Sequence, residues 1–463
     1  MSAIVLDPFK KILAQKVFDE VTSGSNKYYI GIGRSESWDS SETVPTPLDN
    51  PRAIRNARDS LQSIKSASDV SFVIPRYNWS SGSTYQGYDD ILTSIPDTNP
   101  YAVMTEDNQV YLCIQGGTNS EGVATTSTVK PSGTTTKPFK TSDGYVWKYM
   151  YTLSAARASA FLSANFLPVE QIQDSSRANI LVEPDPLTAL EVLQTLVQDS
   201  AVPGQIVGIK VTSAGSGYTS GTQAVTIVGD GVRAAATATI NTAGQVTKIE
   251  LDSSTDSCLT FGQGYTNASI TIGGSGTGAT ARAIIGPDSG LGADPREDLK
   301  ATSLMFNSKP NGIEDSNFIV DQDFRQVLLI RDPQTAAGSQ FTTASGKVVQ
   351  SLKLQATAAA GFLDATIEGQ TSGAKAIVDE VDEDKLFFHQ TETTGFTQFQ
   401  EGETITGGGE TGTLEAGGVD ADSDAFVVSD VKKNSGTVVY IENRSPVTRA
   451  ANQQEDIKVV ITF

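Results

Sequence analysis

Between Gly204 and Ile285 one order of residues occurs twice, and this repetition constrains the fold more than any bulk property of the chain. Gln205-Ile206-Val207-Gly208-Ile209-Lys210-Val211 leads to Gly215-Ser216-Gly217-Tyr218-Thr219, then to Val225-Thr226-Ile227, a glycine turn and Ala234 to Ile240. Gln245-Val246-Thr247-Lys248-Ile249-Glu250-Leu251 leads in the same way to Gly262-Gln263-Gly264-Tyr265-Thr266, then Ile270-Thr271-Ile272, a glycine turn and Ala279 to Ile285. Two copies of strand, Gly-x-Gly-Tyr-Thr corner, strand, turn and strand make a small all-β module. The glycines suit tight corners and each Tyr covers an end of the core, so none of them need be a ligand contact.

The rest of the chain has a similar texture. With 42 glycines, abundant Ser and Thr and only 19% charged residues, its 463 residues point to β-structure with many turns. That length allows about three domains and a substantial core. The formal charge of -20 argues against nucleic acid, whose phosphates need Lys and Arg, and equally against an anionic membrane surface. It leaves room for a basic protein partner. No long apolar run, signal peptide or Cys-rich framework is present, so no membrane insertion is expected and folding in a reducing cytosol is. Cys113 and Cys258 read as two separate buried thiols.

Local signals place the elements. Asp7-Pro8 starts a helix with Phe9, Ile12, Leu13, Val17, Phe18 and Val21 on one face, ended by Gly24. That face serves either the helix's own domain or a second subunit. Tyr28 to Ile32 reads as a strand. Asn50-Pro51 caps a second helix with Ile54, Ala57, Leu61 and Ile64 on one face. Tyr101–Met104 and Val110–Ile114 read as a hairpin, and a polar loop over about residues 116–138 leads to the Asp143-Gly144 turn and an aromatic strand to Leu153. Aromatic alternation there means core packing rather than a sugar platform. Asp185-Pro186 caps a short helix through Leu187, Leu190, Val192 or Leu193, and Leu196. A second Gly-rich patch runs from about 355 to 418, where Ile367-Glu368-Gly369 to Val378 is echoed by Ile405-Thr406-Gly407 to Leu414, around an acidic run from Asp379 to Asp384. It suggests another compact β module, a small barrel being one form. Val438–Ile441 and Ile457–Phe463 read as a closing strand pair joined by a corner at Asn443 and Pro446.

Several motifs carry a resemblance. Gly33-Arg34-Ser35-Glu36 with Trp38, Ile74-Pro75-Arg76 ending in Trp79, Gly144-Tyr145-Val146-Trp147, Phe324-Arg325-Gln326, and Glu442-Asn443-Arg444-Ser445-Pro446 follow one another in the order of one family. Together they resemble the baseplate wedge subunit, the gene product eight type, of T-even-like contractile-tailed bacteriophages. The resemblance spans roughly residues 20–160, 305–333 and 436–463, and it leaves out both Gly-rich segments, which therefore look like insertions. It implies a structural virion protein of the tail baseplate, assembled in the host cytoplasm, that forms a homodimer and contacts other baseplate wedge proteins. The motif residues imply fold determinants rather than interface anchors.

The expected fold is mainly β with a few helices (α+β, a β-sandwich core) carrying two inserted small all-β modules. Its pieces are residues 1–203 and 288–345 of a core, a Gly-rich module at 204–287, a second module at 346–425, and strands at 426–463 completing the core. No enzyme, cofactor or metal is expected. His389 is the only histidine and has no nucleophile motif beside it, so a structural role is expected. Asp420, Asp422 and Asp424 have the first spacings of a calcium loop, but Ala425 and Val431 stand where its Gly and Glu belong. A glycosidase needs only two carboxylates at the right separation, and 54 acidic residues leave that open without pointing to a pair. The alternative function is a tail-associated binding module that recognises host surface glycan through the inserted β modules.

Overall fold

Strands occupy 40% of the chain and helices 12%, so the fold is mainly β with few helices, as the glycine- and threonine-rich texture implies. The computed structural model describes residues 4–67, 69–172, 188–252, 260–417 and 425–463. Contacts divide the chain into two compact units, Met1–Ala14 with Ser71–Ser303 and Thr462–Phe463, and Gln15–Val70 with Leu304–Ile461.

In the first unit the expected hairpin forms. Ala102–Met104 pairs antiparallel with Gln109–Gln115, with Val103 opposite Tyr111, and Asn108 takes left-handed backbone at the turn. Val146–Thr152 extends this sheet, and Gly144 supplies the left-handed residue that the Asp-Gly turn needs. The later helix Ala189–Asp199 is capped by a reciprocal Thr188–Glu191 box. Asp185 and Pro186, expected as its cap, lie outside the described residues. Its buried side includes Gln194 and Gln198, which bond the backbone of Glu170, Ile172 and Ala293, while Leu196 is exposed. Cys113 is a buried free thiol, and Cys258 lies outside the described residues.

The repeated segment builds a six-stranded sheet in the order Val246–Leu251, Ala236–Ile240, Gly221–Gly229, Ala268–Ile272, Thr277–Ile285, Ile206–Ser216. The middle strands of the two copies pair with each other, Val225 opposite Ile272 and Ile227 opposite Ile270, so the copies are related by a local two-fold axis. Gly215, Gly217, Gly262 and Gly264 all adopt positive φ at the two corners. Each corner tyrosine then packs on the glycine turn of the other copy. A Cβ at Gly276 would sit 2.2 Å from the Tyr218 ring, and one at Gly231 would sit 2.4 Å from the Tyr265 ring. Each copy is therefore completed by the other.

In the second unit a five-stranded sheet runs Ser345–Lys347, Leu61–Ser66, Tyr28–Gly33, Asp323–Arg331, Thr437–Thr448. The second helix, Pro51–Asp59, is capped as expected, Ala53 N–H donating to Asn50 Oδ1 at 2.9 Å. It ends earlier than its apolar spacing implied, because Leu61 and Ile64 belong to a strand buried at both positions. The expected closing pair is also corrected. Val438–Ile441 lies in an edge strand beside Asp323–Arg331, and Arg444-Ser445-Pro446 is taken up as an irregularity between the pairs Gln326–Asn443 and Phe324–Val447. Ile457–Thr462 instead lies beside Ser303–Ser308 in another sheet. Seven strands, the first starting at Gln350 and the last being Phe426–Val427, form a sheet around Leu352, Phe362, Ile367, Val378, Leu386, Ile405 and Leu414.

Candidate functional site: a buried histidine between two carboxylates

The best-defined polar constellation lies in the second unit, where the strand Tyr28–Gly33 ends. A Cβ at Gly33 would fall 2.3 Å from the Ser60 carbonyl oxygen, so only glycine fits there. Arg34 follows in left-handed backbone, with φ of 65°, and turns the chain. The turn brings Ser35 and Glu36 to the strands Lys375–Asp382 and Lys385–His389. Ser35 Oγ donates to Asp379 Oδ1 at 2.7 Å, and Gln62 Nε2 donates to the same oxygen at 3.0 Å. The other Asp379 oxygen lies 2.5 Å from His389 Nδ1. On the far side of the ring, His389 Nε2 lies 3.3 Å from Glu36 Oε2.

His389 and Asp379 are both fully buried. Burial pushes the imidazole toward its neutral form, but the carboxylates of Asp379 and Glu36 overcome it and hold the pKa up at about 9. Burial likewise works against the Glu36 carboxylate, yet His389 and Arg34 keep its pKa below the ordinary range. The ring is therefore an imidazolium at neutral pH, hydrogen-bonded through Nδ1 to Asp379 and held at ion-pair distance from Glu36 through Nε2. No lone pair remains to take a substrate proton. Chemically the arrangement acts as a charge-assisted clamp between residues 36, 379 and 389.

Around the clamp, motif residues from distant parts of the chain meet. The Arg34 guanidinium stacks 4.1 Å from the Trp38 ring, and Trp38 Nε1 donates to the Arg444 carbonyl at 2.9 Å. Arg325 forks onto Glu42 at 2.9 and 3.0 Å and also donates to the Ser35 carbonyl. Gln326 Nε2 donates to Asn443 Oδ1 at 2.7 Å, and Asn443 Nδ2 donates to the Pro45 carbonyl. Glu442 accepts from Tyr440 and, with Arg444, lines an open groove of about 510 Å³.

The remaining motif residues gather in the first unit. Tyr145 stacks on Trp147 at 5.7 Å, and Tyr85 meets both rings edge-on. Trp79 Nε1 donates to Ser127 Oγ, which donates to Asp143 beside Gly144. Arg76 donates to the Ser163 carbonyl and Pro75 pairs with Phe166 across two strands. A separate cleft of about 460 Å³ in this unit is lined by Ile114, Ile209, Ile249 and Ile284 together with Gln86, Gln115 and Thr247.

Sequence reasoning singled out His389 and Glu36 separately but missed Asp379, which it read only as the start of an acidic run. No local signal pairs it with His389, ten residues away on the next strand. Among the described residues no group of three or more His, Cys, Asp or Glu is arranged to hold a metal ion, and no helix is long and apolar enough to cross a membrane. Asp420, Asp422 and Asp424 lie outside those residues. No protein-family model matches the chain, and no curated protein matches it.

Proposed function

We propose that the chain is a structural virion protein, a baseplate wedge subunit that dimerises and links neighbouring wedge proteins in a contractile phage tail. One observation carries the reading: motif residues far apart in the chain interlock, as when Trp38 bonds Arg444, Arg325 bonds Ser35, and Gln326 bonds Asn443. Residues that hold one another in this way form a single fold-determining set, which is the role that the resemblance implies for them. The clamp at His389 supports a rigid element rather than a site of turnover, since both ring nitrogens face carboxylates. A rigid, mostly β subunit suits transmission of movement between partners at attachment. The test is size-exclusion chromatography with light scattering, together with co-purification with the other wedge proteins of the same tail. A strict monomer that ignores them refutes the reading.

A second reading, recognition of host surface glycan, has one observation in its favour. The 460 Å³ cleft lies where the repeated module meets residues 84–124, and its volume suits a small ligand. Deleting residues 204–287 then spares assembly and lowers adsorption, whereas unchanged adsorption removes this reading.

A further inference from the structure

The first helix buries Val21 near its end but leaves the start of its apolar face uncovered. Of its apolar face, Phe9, Ile12 and Leu13 are 54, 62 and 39% exposed, and Ile4, Val5 and Leu6 just before it are 82, 56 and 63% exposed. Taking ~200 Å² as the full surface of a large apolar side chain, these six residues leave roughly 700 Å² in water. The largest apolar patch on a typical soluble monomer is only about 300–600 Å². No other stretch of the first unit's described residues exposes so many large apolar side chains in sequence.

We infer that this segment docks on a second copy of the chain, two helices crossing antiparallel about Phe9; the inference deepens the dimer of the proposed function by naming its surface. A two-fold axis at Phe9 sets Phe9 against its own copy and brings Val5 and Leu6, which precede the helix, toward Ile12 and Leu13 of the second copy. Every exposed apolar side chain from Val5 to Leu13 then has an apolar partner. Two copies bury up to about 1,400 Å² of apolar surface, within reach of the ~1,200–2,000 Å² of stable interfaces. A membrane is the poorer occupant. Asp7–Thr22 carries three lysines against Asp7, Asp19 and Glu20, so it has no net positive charge to draw it to anionic lipid.

The experiment uses the full chain as wild type, as the double variant Phe9→Glu with Ile12→Glu, and as two single-cysteine additions, Phe9→Cys and Lys16→Cys. Sedimentation velocity is expected to give a wild-type dimer. The double variant is expected to be a monomer at the same concentration, its dissociation constant raised about 100-fold or more with an unchanged circular dichroism spectrum. Under mild oxidation Phe9→Cys is expected to link two copies. Lys16→Cys is not, because the two Lys16 positions would lie about 20 Å apart along the helices; wild type alongside reports any link through Cys113 or Cys258. A double variant that stays dimeric, with no Phe9→Cys link, overturns the inference and leaves the proposed function standing. A wild type that is monomeric but loses its wedge partners on the double substitution overturns it in favour of a different subunit as occupant. A monomer that never binds those partners refutes the proposed function as well.

Discussion

The clamp makes a quantitative prediction, because His389 is the only histidine in the chain and its imidazole can be followed alone. Its pKa is raised from 6.5 to about 9 in the folded state. At about 1.4 kcal/mol per unit, the protonated ring contributes about 3 kcal/mol to the second unit. The sign follows from a raised pKa: the contribution is complete below about pH 6.5 and is lost as pH rises through about 9. Glu36, held below the ordinary carboxylate range, gives the opposite limb, lost as pH falls below that range. Arg34, Lys433 and Asp59 also face the cluster, but they are common to wild type and variant and so cancel in the comparison. His389→Gln removes the cation and leaves Asp379 and Glu36 facing each other, so it should cost about 3 kcal/mol at pH 6.5, with the difference shrinking toward pH 10. Denaturant unfolding of both proteins between pH 6 and 10, with the imidazole proton followed by NMR, measures both quantities. A ring that titrates at 6.5 or below, or a variant whose deficit is the same at every pH, refutes the reasoning.

Three further outcomes follow from other parts of the structure. Asp298 is fully buried, and desolvation pushes its pKa up to about 8 against the pull of the Gly292 N–H and Lys148. It is therefore protonated in the folded state at neutral pH, and wild-type stability should fall from about pH 4 through 8; Asp298→Asn should flatten that fall in thermal melts across pH 5–9. Gly231→Ala and Gly276→Ala drive a methyl group into the Tyr265 and Tyr218 rings, so each should cost about 1–3 kcal/mol in chemical denaturation, with similar losses from the two-fold arrangement. Trp38→Phe removes the donor to the Arg444 carbonyl and should cost about 1 kcal/mol, read from the unfolding midpoint of the second unit.

What could be read from the sequence was what a few neighbouring residues determine. Asn50-Pro51 caps a helix through atoms three residues apart, and the Gly-x-Gly-Tyr corners need only local φ freedom and repetition. Leu61 and Ile64 show where this fails. Their spacing fits a helical face, but Leu61–Ser66 lies between two other strands and its first four residues are all buried, so the alternation that marks a strand is missing. Phe9 and Ile12 mark a different limit: amphipathic spacing says that a face will be covered, not whether this chain or a second subunit covers it. The clamp was beyond local reading, since Glu36 lies more than 300 positions from Asp379 and His389. A buried charge is tolerable only when partners of opposite sign are already fixed around it. Here Gly33 and Arg34 shape the turn that carries Glu36, Ser35 and Gln62 orient Asp379, and the ring follows. The motif around residue 33 and the second glycine-rich segment, which the sequence suggests are parent and insertion, thus share one charge balance. Removing residues 346–425 should therefore leave Glu36, Ser35 and Gln62 without their partners, and a deletion that cost the second unit no stability would show that they do not depend on one another.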